Sequence, residues 1–467
     1  MGRKRDLYSN RARRRERRRR IILTLSKPTI TRSPLLFAMN FNRVYSEIDE
    51  NRDRSIKRLR ELVKAYPSGE KQLQGKIAQF LEDIGCEVEY LELLPTTIQL
   101  NKEFAVEEAI DMTKRIHILG KIKGKGEGKS IMLITHPDAD PINPKGWSIP
   151  LHEGVIDDGK LYGWAVADDL SGICMMVEAL QALNKVGYKP SGDIYLLSAS
   201  AKRNAWGIAA LLRKGYSADA ALYIHPAESE LGLKEIKTMT SGLLKFRITI
   251  EGVKPPKTEF VQVTFNHLGV NPIDKALYVI DALKRFNEER VRTIRYEPLN
   301  KEVGRGTNLL ITYINAGEPN NLTDIPFKCT IGAGLTFPPH EDIDELVEKI
   351  ENFISKTSEA DPWLKEHPLR LDWIQGTQGI EIPLDQPIVE TVSDAIEDVT
   401  GERPFSNPLY SKSDLRTPVL ISGIPNVGYG PLAGDLSTTG GYEEWVDIDD
   451  YIRGIKITAR IIMDWCG

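Results

Sequence analysis

Short apolar runs alternate with segments of helical spacing through the first half of the chain. Apolar runs occupy 131–134, 193–200 and 220–224, and segments with helical spacing lie between them at 171–183 and 206–214. Short apolar runs bounded by turn residues are typical of buried strands, and apolar residues three or four positions apart indicate amphipathic helices. Strands that alternate with helices predict a mixed, mostly parallel sheet with helices on its faces, which is an α/β fold.

The pattern changes at Gly242, where alternating strands replace the apolar runs. We interpret 39–242 and 366–467 as two parts of one catalytic domain, with an α+β lid domain inserted at 243–365. Helices are predicted over 45–65, 70–84, 272–287, 342–355, 383–399 and 447–465, and strands over 86–94, 116–122, 243–251, 308–315, 330–337 and 419–427.

Charge separates the N-terminus from the remainder of the chain. Residues 1–38 contain eleven Arg and two Lys against Asp6 and Glu16, a net charge of +11, so that the remainder carries −15 of the total of −4. We interpret 1–38 as a basic, disordered extension; a nucleic-acid-binding arm or a targeting segment is the alternative. The acidic remainder makes nucleic acid an unfavoured partner. No apolar run is long enough to span a membrane.

The four cysteines are scattered along the chain, and none stands in a C-x-x-C spacing. This usage favours a reducing compartment without a disulfide framework, and therefore a cytoplasmic protein.

The strand at 131–134 is followed directly by residues suited to metal chemistry. His136 and Asp138 are two positions apart, so both side chains should point to the same face, where the carboxylate is a candidate to orient the imidazole. Asp168 and Asp169 precede a helix near Ser171, at the edge of the sheet where open α/β folds place their chemistry. The alternative is a solvated strand end and a carboxylate that caps the helix.

Taken in order, five motifs between 39 and 467 are similar to those of the co-catalytic metallopeptidase and deacylase family. That family contains acetylornithine deacetylase, succinyl-diaminopimelate desuccinylase and the glutamate carboxypeptidases. The motifs are His136-Pro137-Asp138, Asp158–Gly163 continuing to Asp168, Asn321–Pro326, Ser413-Asp414-Leu415-Arg416 and Gly423-Ile424-Pro425.

The resemblance implies two metal ions bridged by one Asp, but this chain matches only one of the two sites. His136, Asp168 as the bridge and His225 form a complete first site. The Glu-Glu pair that supplies a ligand and the general base is replaced by residues 200–204, and the C-terminal His by Gly440. We therefore expect one divalent ion, with zinc ahead of manganese or cobalt. The ammonium of Lys202 is a hypothetical replacement for the second ion's charge.

Because the Glu-Glu pair is absent, the resemblance does not assign the general base. Asp138, Asp169 and Lys202 are the candidate catalytic residues, and His152 and Glu228 are further candidate bases. For substrate binding, the resemblance and side-chain chemistry indicate Arg416 for a carboxylate, with His267 and Asn321 on the lid.

Two functions remain open from the sequence. The first is a metal-dependent hydrolase of a small amide or another carbon–nitrogen bond, working as a homodimer through the lid. The second is a non-catalytic relative that binds a metabolite or a partner subunit in the former active site. Retention of His225 favours the enzyme, since a non-catalytic relative has no need of a ligand there.

Overall fold

The computed structural model describes residues 34–93, 102–106, 113–139, 146–200, 206–226, 229, 231–256, 261–410, 413–434 and 443–467, with side chains from residue 41 onward. The chain divides into two units, 1–43 and 44–467. In the first unit, the described residues begin a helix at Pro34, within the segment predicted to be disordered. The remaining description concerns the second unit.

Helices form over most of the segments in which the spacing of apolar residues predicted a helix. The helices are α1 Pro34–Glu50, α2 Arg52–Ala65, α3 Glu70–Asp83, α4 Ser171–Lys185, α5 Trp206–Arg213, α6 Pro272–Thr293, α7 Glu297–Val303, α8 Ile343–Glu359, α9 Pro362–Glu366, α10 Pro387–Thr400, α11 Arg416–Ser422 and α12 Ile448–Cys466.

The strands include several short pieces besides those predicted. They are β1 Glu87–Leu93, β2 Glu103–Ala105, β3 Arg115–Ile122, β4 Ile131–Thr135, β5 Val155–Asp157, β6 Lys160–Tyr162, β7 Ile194–Ser198, β8 Ala220–Ile224, β9 Glu235–Ile236, β10 Met239–Thr240, β11 Gly242–Glu251, β12 Asn308–Ala316, β13 Lys328–Phe337, β14 Arg370–Thr377, β15 Ile380–Glu381, β16 Phe405–Ser406, β17 Asn426–Tyr429, β18 Ala433–Gly434 and β19 Trp445–Asp447.

A six-stranded sheet forms the centre of the molecule, in the order β1-β3-β7-β4-β8-β17. The strands β7, β4, β8 and β17 are parallel to one another. At one side, β3 pairs antiparallel with β7, and β1 pairs antiparallel with β3. Every residue of β4 and β8 is buried, as expected for strands covered on both faces. Helices α4 and α12 pack on each other and against β4. The predicted mixed α/β fold is confirmed.

A second, five-stranded antiparallel sheet follows the order β12-β13-β11-β14-β2. One of its faces packs under α6 and α8, through a core that includes Phe246, Leu335 and Leu346. Strands β14 and β2 lie outside the predicted insertion at 243–365, and β2 comes from far upstream in the chain. The domain boundaries therefore stay a prediction, while the sheet itself gathers strands from three parts of the sequence.

One predicted strand is wrong over half of its length. Residues 419–422 belong to helix α11, and only 426–429 form a strand. Gly423 separates the two with a φ of +66°, which ends the helix in a left-handed conformation. Short apolar runs do not distinguish a buried helix from a buried strand, and the spacing of 419–427 was ambiguous for this reason.

Candidate metal centre

Two histidines follow neighbouring parallel strands at the same edge of the central sheet. His136 comes one residue after β4, and His225 comes one residue after β8, with Ile134 paired to Tyr223 across the two strands. The carboxyl ends of parallel strands meet at one edge, so the two imidazoles are brought together by the strand order alone. Their ring centroids are 5.2 Å apart.

The carboxylate of Asp168 lies between the two imidazoles. Its Oδ1 atom is 2.8 Å from Nε2 of His225 and 3.3 Å from Nε2 of His136. The three residues are buried, and one ligand atom from each lies within 4.8 Å of the others. Two imidazole nitrogens and a carboxylate oxygen are donors that suit zinc and neighbouring divalent metals.

The other nitrogen of each imidazole faces a main-chain carbonyl. Nδ1 of His136 is 2.9 Å from the carbonyl oxygen of Asp138, and Nδ1 of His225 contacts that of Pro226. A carbonyl oxygen only accepts hydrogen bonds, so each Nδ1 carries a proton and each Nε2 is the nitrogen that faces Asp168. Two imidazole nitrogens and a carboxylate oxygen that converge in this way form a donor set for a divalent ion, and the residues therefore fit one.

Asp138 orients His136, but through a different atom from the one predicted. The main-chain carbonyl contacts the imidazole, while the carboxylate lies 3.5 Å from a guanidinium nitrogen of Arg115. A carbonyl fixes the tautomer as well as a carboxylate does, because either one accepts the Nδ1 proton.

Glu444 holds the turn that carries Asp168. Its carboxylate accepts hydrogen bonds from the main-chain N–H groups of Ala165, Ala167 and Asp168, at 2.9, 2.7 and 2.9 Å. Complete burial raises the pKa of Glu444 to about 8, and the neighbouring charge of Asp168 adds to the rise, while the three N–H donors oppose it. The contacts fix the position of Asp168 from a residue just ahead of β19, 276 positions further along the chain.

Two glycines allow close approaches around the triad. A Cβ on Gly172 would lie 2.2 Å from the carbonyl oxygen of Ile224 and 2.4 Å from Oδ1 of Asp169. A Cβ on Gly430 would lie 2.4 Å from the nitrogen of Pro226, the residue after His225. Both glycines are therefore required for the first turn of α4 and for the end of β17 to close on the site.

Comparison with known proteins agrees with this arrangement. The profile described as "Peptidase family M20/M25/M40" matches residues 132–464. The chain belongs to this family. The prediction of a hydrolase that acts on carbon–nitrogen bonds is confirmed by this membership, and the predicted resemblance to the desuccinylase group is confirmed with it.

Two curated relatives of family M20/M25/M40 cover most of the chain. N-formyl-4-amino-5-aminomethyl-2-methylpyrimidine deformylase of Halalkalibacterium halodurans is 22% identical over 90% of this chain and 96% of its own length. Succinyl-diaminopimelate desuccinylase of Alkalilimnicola ehrlichii is 23% identical over 70% of this chain and 82% of its own.

Solved structures of the family share the fold. A tripeptidase from Staphylococcus aureus aligns with a TM-score of 0.66 and 17% identity, over 89% of this chain and 99% of its own. A family M20 metallo-carboxypeptidase from Sulfolobus solfataricus gives the same TM-score at 14% identity, over 87% and 98%.

Arg416 of the family-like Ser-Asp-x-Arg motif is engaged within the chain. Its guanidinium forms a two-pronged ion pair with Glu103 of β2, with Nη2 at 3.0 Å from Oε2 and a second contact from Nε to Oε1. Nη1 donates to the carbonyl of Ser413 at 2.7 Å and lies 3.7 Å from Asp414. Binding of a substrate carboxylate, predicted for this residue, would require it to share or exchange Glu103.

The two predicted lid residues, His267 and Asn321, lie in segments that are joined by a main-chain hydrogen bond. His267 belongs to a turn of helix at Gln262–Leu268, and this turn contacts the segment around Asn321 through Val263 N–H to Thr323. Both side chains are exposed, and Asn321 donates to Asp324. Their part in substrate binding stays a prediction.

Of the remaining candidate catalytic residues, one is buried, one is partly buried, and two lie outside the described part of the chain. Asp169 is completely buried beside Asp168. His152 stacks on Tyr66 and lies at a tilt against Trp164, and partial burial lowers its pKa. Lys202 and Glu228 lie outside the described residues, as does Gly440.

Sequence reasoning missed three residues of the site. Glu444 was used only to mark the place of an absent histidine, although a buried acidic residue ahead of a strand is a usable signal. Tyr223 stacks on His225 with centroids 5.1 Å apart, and its position before the histidine gave no sign of this contact. Glu103 lies in a short strand with no recognisable pattern, so nothing in its surroundings pointed to Arg416.

Proposed function

We propose that this chain is a metal-dependent hydrolase of a small amide, with one divalent ion held by His136, Asp168 and His225. The observation that carries the proposal is the convergence of three buried ligand atoms at the carboxyl edge of the sheet. When bound there, a divalent ion lowers the pKa of a coordinated water and polarises a carbonyl oxygen.

The residues at the positions of the second metal site favour one ion over two. The sequence has no carboxylate between Asp193 and Asp219, and its last histidine is His367. Neither exclusive ligand of a second ion is available at the positions where the family places it. Zinc suits the two imidazoles and one carboxylate, with manganese and cobalt as the alternatives.

The chain's own residues then orient the ligands and move the proton. Asp138 and Pro226 fix the tautomers of the two histidines through their carbonyls, and Glu444 fixes Asp168 through its main chain. Asp169 is the candidate base, because it is buried directly beside Asp168. Lys202 is proposed to supply positive charge near Asp168.

Metal content and hydrolysis, measured together, test the proposal. The full chain, loaded separately with zinc, manganese and cobalt, is expected to hold about one ion by elemental mass spectrometry and to cleave members of a panel of N-formyl and N-acyl amines. Two ions per chain would contradict the one-ion proposal. A chain that holds no ion and hydrolyses nothing would behave as a non-catalytic relative.

We further propose a homodimer formed through the lid, in the cytoplasm. Strand β12 is an edge of its sheet, and it exposes Leu310, Tyr313 and Ile314, which suits pairing with a second copy. All four cysteines are buried and free, as in a reducing compartment. None of the described helices is long and apolar enough to cross a membrane. Light scattering of the chain with Ile314→Lys tests the interface.

A further inference from the structure

A buried ion pair joins strand β2 of the lid sheet to Arg416, the first residue of α11. Arg416 is 1% exposed and Glu103 is 7% exposed at their side chains. The guanidinium gives Nε and Nη2 to the two carboxylate oxygens of Glu103 and gives Nη1 to Ser413. This two-pronged geometry is the one by which arginine recognises a carboxylate, and here the carboxylate belongs to the chain.

Tyr223 is buried beside the metal triad. Its ring is stacked on His225, with an interplanar angle of 10°. Burial lowers the pKa of Arg416, but Glu103, Asp414 and Tyr223 together raise it further than burial lowers it. The charge of Arg416 is therefore matched within the chain, chiefly by Glu103.

Strand β2 presents Glu103 in a fixed position. The strand pairs with β14, where Glu103 lies opposite Thr377 and Phe104 opposite Gly376. Phe104 packs edge-on against Trp373 and fills the space over Gly376, where a Cβ would lie 2.4 Å from its ring. Because the backbone is paired at Glu103 and Phe104, the strand places the Glu103 side chain against Arg416.

The local charge balance disfavours another carboxylate. Glu103, Asp414, Asp168 and Asp169 together carry more negative charge than Arg416 and one divalent ion supply. A ligand carboxylate that displaced Glu103 would exchange one buried ion pair for another, and it would leave Glu103 buried without its partner. The exchange therefore gives no net gain in binding and carries the cost of an uncompensated charge.

We infer that Glu103 determines specificity by filling the carboxylate-binding face of Arg416, so that the substrate's group beside Arg416 is uncharged or cationic. This inference rests on the proposed function, and it reverses the expectation that Arg416 binds a substrate carboxylate. It favours substrates such as acylated amines over acylated amino acids.

Two ligands that differ only at the carboxylate test the inference in the full-length chain. N-acetylglycine and N-acetylglycinamide are titrated into the wild type and into Glu103→Gln. The variant is expected to bind the acid about tenfold more tightly than the wild type, which is about 1.4 kcal/mol, because the neutral amide no longer balances the charge of Arg416 and accepts through one oxygen only. Its affinity for the amide should stay unchanged.

Two further variants locate the effect. Lys102→Met removes the neighbouring contact of β2 with Asp342 and should leave both affinities at the wild-type values. In Glu103→Gln/Arg416→Met the gain in acid binding should disappear, whereas a gain that persisted would place the acid elsewhere and overturn the inference. Glu103→Asp, which keeps the charge on a shorter side chain, should give a smaller gain and serves if the Gln variant does not fold.

The change in affinity for N-acetylglycine tests the role of Glu103 and does not require catalytic activity. Equal acid affinity in the wild type and in both position-103 variants would overturn the inference, as would a wild type that binds the acid more tightly than the amide. The proposed hydrolase is tested separately, by metal content and product formation, so failure of one leaves the other measurable.

Discussion

The metal triad and the Arg416 pair are two buried clusters of polar and charged side chains. They differ in whether the balancing positive charge comes from solution or from the chain itself. In the triad, two imidazole nitrogens converge on Asp168, and this donor set would be completed by a divalent ion from solution. In the pair, Arg416 supplies the cation and Glu103 matches it within the chain. The first cluster is open to an exogenous partner, and the second is closed to one.

The difference teaches that burial of polar side chains does not by itself identify a ligand site. A buried group with its hydrogen-bonding partners inside the chain contributes to structure, whereas converging imidazole and carboxylate groups indicate a site for a cation. The predictions below separate the two behaviours, beginning with the triad.

Loss of one triad histidine is expected to have the largest effect. His225→Ala removes a ligand and leaves two, so we expect less than a tenth of the wild-type metal content and a fall in kcat/KM of about a thousandfold or more, equivalent to about 4 kcal/mol. Elemental mass spectrometry and steady-state kinetics measure both.

His367→Ala is the matched control, because His367 is exposed and stacks on Trp363. The control should keep both the ion and the activity. A His225→Ala variant that retained a full ion would show that the triad is not the metal site.

Loss of Arg416 is expected to act on stability. Arg416→Met leaves Glu103 and Asp414 buried without the guanidinium, so the free energy of unfolding should fall by about 3–5 kcal/mol in chemical denaturation. Glu103→Gln/Arg416→Met should recover part of that loss, because the uncompensated charge of Glu103 is gone.

Arg403→Met provides the exposed comparison. Arg403 contacts Glu390, Asp394 and Glu397 on the surface, where solvent screens the charges, so its loss should have a much smaller effect. An equal loss for the two arginines would mean that burial does not govern the Arg416 pair.

The central sheet and the triad were accessible to sequence reasoning because both depend on local patterns. The apolar runs before His136 and His225 predicted the strands, and parallel strands place their ends together. Which atom of Asp138 holds His136 could not be predicted from the sequence, because spacing alone does not distinguish the main-chain carbonyl from the carboxylate of the same residue.

Contacts between distant parts of the chain were not predictable. Glu103 and Arg416 are 313 positions apart, and Glu444 lies 276 positions after Asp168. Neither contact follows from periodicity, since each depends on how two sheets or a sheet and a turn pack. The residue types gave a weak indication only, because most glutamates are exposed.

Loss of Glu444 is expected to weaken the metal site without removing a ligand. Glu444→Gln replaces a carboxylate that accepts three main-chain N–H bonds by an amide with one acceptor oxygen. The turn that carries Asp168 should loosen, and the affinity for zinc, measured by competition with a chelator, should fall by about 10–100-fold.

Glu443→Gln is the neighbouring control, since Glu443 contacts Ser148 and not the turn. It should bind zinc as the wild type does. Equal losses in the two variants would point to a general effect of charge in this segment.

The smallest effect concerns His117, a buried histidine outside the triad. It is 1% exposed, its Nδ1 lies where a Cβ on Gly207 would approach to 2.5 Å, and burial, followed by the charge of Arg115, lowers its pKa from 6.5 to about 4. Below pH 6.5 the unfolded chain takes up a proton that the folded chain does not, so the wild type loses stability as the pH falls towards 4.

His117→Gln removes this titration and should leave the metal content at the wild-type value. Relative to the wild type, the variant should gain about 1.4 kcal/mol in the free energy of unfolding on going from about pH 7.5 to about pH 5.5, since one pKa unit corresponds to that energy. Denaturation at the two pH values, beside metal analysis, measures both quantities. Loss of the ion in this variant would mean that a lone buried imidazole contributes to the site, whereas an unchanged ion with a reduced pH dependence separates a core histidine from the two that converge on Asp168.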